Sequence, residues 1–461
     1  MPPKMKARDG SPASKRPRTE AGGPPSRSCL REDTNATDGP GSLVDLLDFP
    51  ERAWSVLFEG PGMEDRLANL KDRIKKGLVL RSQYSGKGTA ETAMHHIKSK
   101  IVKEGLTGGE PVPWDALSAF DSKEIAQRAL LSHSEACRPR CIFGNMEVVL
   151  SQDASAMLDS LMPAKCQDND EKRQAYKDMG KFLKADLVAN LPTDQRAPCL
   201  VHGAGSAFTG PCSLWPEWVD PRDAGLQDRV EVWVAGQTCT DVSRRGKRQG
   251  WAGPQTRSYV VWVSMVRKKK PSIFIHEITN SQEAADQLHL DLGDLYDIDT
   301  QANLSPHVFG FPLTRMRQYS IGTLRGQVAW LGSWEEFVQL FSCRLALNGE
   351  VFFCAPAKHR VQVAQQFAKR QGWVFSGTDA PALHEILSPP ELRRFTEYEK
   401  KFMEKGDSSG GFLCCDVDQE VQFGTAAPII PCLISHGKLI NMKTGDVATG
   451  LEHMVIMGAA A

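Results

Sequence analysis

An α/β fold built on a mostly parallel sheet, with an inserted segment and a smaller second domain, is predicted by two features of this 461-residue chain. From Gly77 onward, short apolar runs alternate with amphipathic stretches, the rhythm of βαβ units. A glycine turn, Gly86-Lys87-Gly88, follows the first run and a carboxylate, Asp121, closes the second. Doubly wound sheets use turns and acids placed in this way at their carboxyl edge. The expected strands are 78–80, 116–120, 140–143, 230–235, 272–275 and 319–321. Between the first two, a helix is expected over 90–104, with Ala93, His96, Ile97 and Ile101 on one face. The apolar run 259–266 has the length of a buried strand or of core helix turns.

The ends and interruptions of that rhythm set the domains. Residues 1–42 hold seven prolines and five glycines with few large apolar groups, so they cannot offset their ordering entropy and are predicted disordered. A catalytic domain is expected over 43–334, interrupted by a polar insertion at 151–228 that carries a charged helical stretch near 168–186 and ends in a Gly/Pro-rich loop. A small domain follows at 335–435, with strands at 350–354 and 412–415 and a charged helix at 390–404. Residues 436–461 are expected to return to the first domain.

Lys+Arg and Asp+Glu both total 56, which excludes a uniformly basic coat that grips a polyanion by charge alone. The balance is uneven, because residues 1–31 carry eight Lys/Arg against Asp9 and Glu20. Within that tail, Ser14-Lys15-Arg16-Pro17-Arg18 is a basic cluster of the nuclear-address kind or a solvated run. The nucleus is therefore the expected location, with the cytoplasm as the alternative. Twelve cysteines are too dilute for a disulfide scaffold, and no stretch approaches the roughly 18 apolar residues of a membrane span. No membrane partner is expected.

The glycine turn could hold phosphate or a nucleoside cofactor. A phosphate loop of the Gly-x4-Gly-Lys-Ser/Thr type is disfavoured, since Arg81 stands where its first glycine should be and Gly88 where its Ser/Thr should be. A carboxylate at Asp121 is placed to accept hydrogen bonds from a ribose diol, and the Asn145 amide could bond an adenine edge.

Further on come Ala235-Gly236-Gln237-Thr238-Cys239-Thr240-Asp241, then Phe274-Ile275-His276-Glu277-Ile278-Thr279, then Arg315-Met316-Arg317-Gln318-Tyr319. A late segment around Gly450-Leu451-Glu452 completes the order. As an ordered set with the glycine turn, these motifs resemble the cytosine-5 DNA methyltransferase family, without a counterpart of the family's last C-terminal motif. The resemblance implies a Rossmann-like class I methyltransferase sheet, with 335–435 as a target-recognition domain. It implies Cys239 as nucleophile, Glu277 as the acid at ring nitrogen 3, and Arg315 and Arg317 beside them. S-adenosylmethionine would lie against Tyr84, Ser85, Gly86, Gly88, Thr89, Asp121, Asn145 and Met146.

The implied partner is DNA, gripped by basic runs at 244–248 and 268–270. Alternatives are an RNA cytosine methyltransferase, or a non-catalytic nucleic-acid-binding or scaffold protein on the same fold. Cys199, His202 and Cys212 offer three soft ligands with only Cys166 as an evident fourth, so loose thiols are expected and no metal is assigned.

Overall fold

The computed structural model describes residues 38–58, 64–162, 168–193, 197–202, 229–237, 249–330, 332–372, 386–403, 412–421, 428–433 and 437–457. Three helices lead in: α1 (Leu43–Leu47), α2 (Phe49–Phe58) and α3 (Glu64–Lys76). Ser42 caps α1, its Oγ accepting the Asp45 N–H at 3.1 Å. Residues 38–42, expected in the disordered tail, are ordered here, and the Gly39 N–H donates to the Arg344 carbonyl at 3.0 Å. Residues 1–37 and their basic cluster lie outside the described residues.

The alternating body runs β1 (Leu78–Gln83), α4 (Thr89–Lys103), β2 (Trp114–Phe120), α5 (Glu124–Ser132) and β3 (Cys141–Phe143). It continues with α6 (Gln152–Leu161), α7 (Asn169–Ala185), α8 (Leu187–Asn190), β4 (Val230–Gly236), α9 (Gln255–Lys269) and β5 (Ile273–Ile278). After α10 (Gln282–Leu292) come β6 (Tyr296–Leu304) and β7 (Arg317–Leu324). The sheet order is β3-β2-β1-β4-β5-β7-β6. Neighbours from β3 to β5 are parallel, and β7 runs antiparallel to both β5 and β6. Chain order reverses between β1 and β4, so a crevice opens outside their carboxyl ends. With its single reversed strand next to the edge, this is the Rossmann-like sheet of the class I methyltransferase fold.

One face is covered by α4 and α5. Met94 packs with Leu80 and Ala116, and Leu130 with Ala119 and Ile142. Of the face expected for α4, Ile101 is buried but Ile97 is exposed; Glu91, Met94 and Lys100 make up the rest of the buried side, with Ser82 beneath the helix donating to Glu91. The other face is covered by α9 and α7. The run 259–266 is buried almost all round, since α9 lies between the sheet and α7. Leu158, Tyr176, Met179 and Leu183 share this core with Trp233, Trp262 and Phe274. The described part of 151–228 is thus the helical crossover from β3 to β4 and supports the sheet, unlike the polar insertion expected there.

In the pairing of β5 with β7, Gly322 stands opposite Phe274, and a Cβ on Gly322 would lie 2.0 Å from the Phe274 ring. That ring is fully buried against Trp262 and Tyr296 and has nowhere to move. Gly322→Ala is expected to cost about 3 kcal/mol, read as a lowered urea midpoint. An unchanged midpoint would show that the ring can leave its place over the glycine.

Next, α11 (Trp334–Phe341) packs Trp334 on the sheet against Leu304 and Ile321. The smaller lobe contains α12 (Ala357–Arg370), α13 (Pro389–Met403), β8 (Cys414–Asp416), β9 (Leu439–Asn441) and α14 (Gly450–Ile456). The strand expected at 350–354 is a 3-10 turn, Gly349–Phe352, because the Asn348 side chain caps it by accepting the Glu350 N–H at 2.9 Å. Residues 437–457 join both parts: β9 pairs with β8, while Val455 and Ile456 pack with Leu46 and Leu313 of the first domain as well as with Phe352, Phe412 and Ile430. Among the described residues, no helix is long and apolar enough to cross a membrane.

Candidate functional site

The glycine loop leaves β1 through Tyr84, a non-glycine residue at φ 53°, and enters α4 through Gly88 at φ 82°. Ser85 fastens the loop to β2: its N–H and Oγ both meet the Phe120 carbonyl, at 3.0 and 3.2 Å. Gly88 has no room for a side chain, because a Cβ would lie 2.4 Å from the His133 ring. Gly86, in contrast, faces open space, with nothing within 4 Å of its Cβ position. Its N–H donates to Asp121 Oδ2 at 2.9 Å, while Asp121 Oδ1 accepts the Lys123 N–H at 2.8 Å. Each carboxylate oxygen therefore keeps one lone pair for a further donor. Below the loop, Ser82 donates to the buried Glu91, and burial pushes the Glu91 carboxyl above its usual range.

The other predicted cofactor residues divide. Thr89 lines the open cleft, Asn145 is exposed at the end of β3, and its Oδ1 caps the following turn through the Glu147 N–H at 3.3 Å. Met146 is a core residue packed with Phe143 and Met179, so its side chain does not face a ligand, and Tyr84 packs against that same core.

Across the crevice, β5 delivers Glu277 and the start of β7 delivers Arg317. Glu277 Oε1 lies 2.8 Å from Arg317 Nε and 3.6 Å from the Arg315 guanidinium. The three predicted side chains are thus brought together. Gly236, at the end of β4, leaves room for the acid: a Cβ there would lie 3.2 Å from Glu277 Oε2. The next residue, Gln237, donates its N–H to the Glu277 carbonyl at 2.9 Å. Its side-chain oxygen stands 3.1 Å from His276 Nε2, and burial holds His276 down to about 4, so that ring is neutral and donates. Cys239 and the run 244–248 lie outside the described residues. The described chain stops at Gln237, on the side of the crevice where Glu277 stands. Residues 268–270 close α9 at the amino edge of the sheet, opposite the crevice, and Lys268 donates to the Leu191 carbonyl. They do not line the cleft as a nucleic-acid grip should.

Sequence reading missed several cleft residues. Tyr319, paired with Glu277 across the strands, is pushed up to about 12 by burial and then by that carboxylate. The connection 305–316 forms a wall, with the Ser305 hydroxyl accepting the Arg315 N–H at 3.0 Å. On the small-lobe side, α14 sets Met454 3.0 Å from Lys87 Nζ, and desolvation lowers the Lys87 pKa. Glycine loop, acid and arginine, and small lobe enclose one cleft of about 1360 Å³. Cys141, which nothing in the sequence marked, lies with Cys199 and His202 at the far edge of the sheet.

No protein-family model matches the chain, and no curated protein does. Among solved structures, it is similar to the S. pombe Dnmt2 methyltransferase at 14% identity, covering 58% of this chain and 55% of that one, with a TM-score of 0.30. A Spodoptera frugiperda DNMT2 mutant gives 13% identity over 55% and 52% of the two chains, TM-score 0.26. Entamoeba histolytica EhMeth gives 11% over 56% and 56%, TM-score 0.26. The chain thus spans about half the length of these structures. At such TM-scores it is strand order and direction that carry the fold.

Proposed function

We propose that the chain transfers a methyl group from S-adenosylmethionine to carbon 5 of cytosine in DNA, through a covalent adduct with Cys239. One observation carries this reading. A carboxylate held by two arginines, Glu277 with Arg315 and Arg317, opens into the same cleft as the glycine loop, beside the strand end from which the Cys239 segment departs.

The chemistry needs this combination. Carbon 5 of cytosine is a weak nucleophile, and it gains electron density when a thiolate bonds to carbon 6 while ring nitrogen 3 takes a proton or hydrogen bond. Cys239 supplies the thiolate and Glu277 the proton, and the arginines hold Glu277 in place and meet the exocyclic oxygen. After methylation, solvent in the cleft takes the carbon 5 proton, the electrons of that bond re-form the carbon 5–carbon 6 double bond, the Cys239 sulfur leaves as thiolate, and the nitrogen 3 proton returns to Glu277. A base in a duplex offers neither atom, so the target is flipped out, at a cost of a few kcal/mol.

The residues present fit the methyl donor. Gly86 faces open space, Asp121 keeps lone pairs for a ribose diol, and Asn145 offers an amide at the neighbouring strand end. When bound, S-adenosylmethionine supplies the electrophilic methyl; the chain's own groups orient it and exclude water.

The test is covalent trapping on a DNA duplex containing 5-fluorocytosine in the presence of S-adenosylmethionine. Wild type is expected to form a denaturation-resistant adduct and Cys239→Ser none. Absence of adduct with wild-type protein would remove the enzymatic reading, and adduct formed on RNA alone would remove DNA as the substrate.

A further inference from the structure

We propose that Cys141, Cys199 and His202 hold a structural zinc ion at the β3 edge of the sheet. Their ligand atoms all lie within 4.8 Å of one another. Cys199 Sγ is 3.4 Å and Cys141 Sγ 3.9 Å from His202 Nδ1. Around a tetrahedral zinc, with Zn–S of about 2.3 Å and Zn–N of about 2.0–2.1 Å, neighbouring ligand atoms stand roughly 3.6–3.8 Å apart. Both sulfur–nitrogen distances thus lie close to that spacing, and the two sulfurs are within 4.8 Å of each other.

The backbone explains why they meet. Cys141 opens β3, and the segment holding Cys199 and His202 runs beside it, the Leu200 N–H donating to the Ile142 carbonyl at 2.9 Å. Both cysteines are buried, His202 is half-buried, and the cluster contains no carboxylate. A set of two thiolates and an imidazole selects zinc over the oxygen-seeking magnesium and calcium. On binding, each thiol releases its proton to solvent, and the neutral imidazole gives its Nδ1 lone pair. The fourth position is left to water.

The place in the fold indicates what the ion does. β3 is an edge strand, separated from β4 by β2 and β1, so the ion stands about 14 Å from the β4 end of the crevice at about 4.8 Å per strand. It is too far away to touch the reacting groups. It clamps the 197–202 segment onto the edge strand, which among the described residues has a sheet partner only in β2. The same clamp fixes the short strand from whose end Asn145 emerges.

The full chain, purified after expression with zinc in the medium, is expected to carry about one zinc per molecule by elemental mass spectrometry. Cys141→Ser and Cys199→Ser should each lower that content by roughly tenfold or more. Cys354→Ser, an exposed cysteine of the small lobe, should leave it unchanged. Because a cysteine variant could fail to fold, the wild-type chain stripped of zinc is also titrated with cobalt(II). The expected result is the thiolate charge-transfer absorption of a tetrahedral cobalt site. Zinc far below one equivalent together with no such absorption would overturn the proposal. So would a Cys141–Cys199 disulfide in the mass spectrum of unreduced protein, or undiminished zinc in folded Cys199→Ser. None of these readouts depends on methyl transfer.

Discussion

Glu277→Gln should lower methyl transfer by about 10²–10⁴-fold, the usual yield of a positioned proton donor, while leaving S-adenosylmethionine binding intact. Glutamine keeps the size of the side chain and an acceptor for Arg317 Nε, now 2.8 Å away, but cannot deliver the proton that nitrogen 3 needs. Cofactor affinity should hold because the donor residues sit at the ends of β1, β2 and β3, on the other side of the switch from β5. Single-turnover transfer on a cytosine duplex, set beside calorimetry with the cofactor, separates the two effects. Turnover within about threefold of wild type would strip Glu277 of the acid role. Lost cofactor binding would show that the variant disturbs the crevice as a whole.

The largest effect on stability is expected at Glu452, which is fully buried. Its Oε1 accepts from the Ala355 N–H at 2.8 Å and from the Arg360 guanidinium at 2.7 Å, and its Oε2 accepts from the Thr449 N–H at 2.7 Å. The Thr449 hydroxyl completes a capping box at the start of α14 by accepting the Glu452 N–H. Glu452→Ala leaves an arginine and two backbone donors without their acceptor, at a cost of about 3–5 kcal/mol. Glu452→Gln keeps one acceptor oxygen, for the Ala355 N–H and Arg360, but turns its NH2 donor toward the Thr449 N–H, so it should fall between alanine and wild type. Urea unfolding of the two variants against wild type is the measurement, and an alanine variant as stable as wild type would contradict the buried network. The resemblance marked this glutamate by its place near the end of the motif order; in the structure it joins α14 to the turn before α12 and to α12 itself.

Six strands of the sheet were legible in the sequence because each is a short apolar run bounded by a turn. β6 was not, since Tyr296-Asp297-Ile298-Asp299 alternates with carboxylates in the way an edge strand does, and a single neighbour demands little apolar surface. The charged helical stretch expected near 168–186 is α7, but its packing on the sheet was hidden for the opposite reason. Its exposed face is so charged that the buried stripe of Tyr176, Met179 and Leu183 reads as incidental. At the site, the acid and the arginines were legible through motif order, since strand ends fix where such residues fall. Met146 was misplaced because neighbouring residues at a strand end can face opposite ways, one to solvent and the next to the core. Cys141 could not be found at all: its partners come from a segment that reaches β3 only after three helices.

The reversal of β7 decides which parts of the chain can be revised independently. In an all-parallel sheet, only strand ends reach the carboxyl edge. Here the edge also receives a strand's beginning, so Arg317 arrives from the 305–316 connection while Glu277 arrives from the end of β5. That connection is tied to the small lobe, with the Thr314 and Ile430 N–H groups each bonded across to the other segment at 2.8 Å. The half of the cleft that holds Glu277, Arg315 and Arg317 therefore shares its scaffold with the small lobe, while the glycine loop, Asp121 and Asn145 stand at the ends of β1, β2 and β3. A change in the 305–316 loop can shift the two arginines without moving those three strand ends.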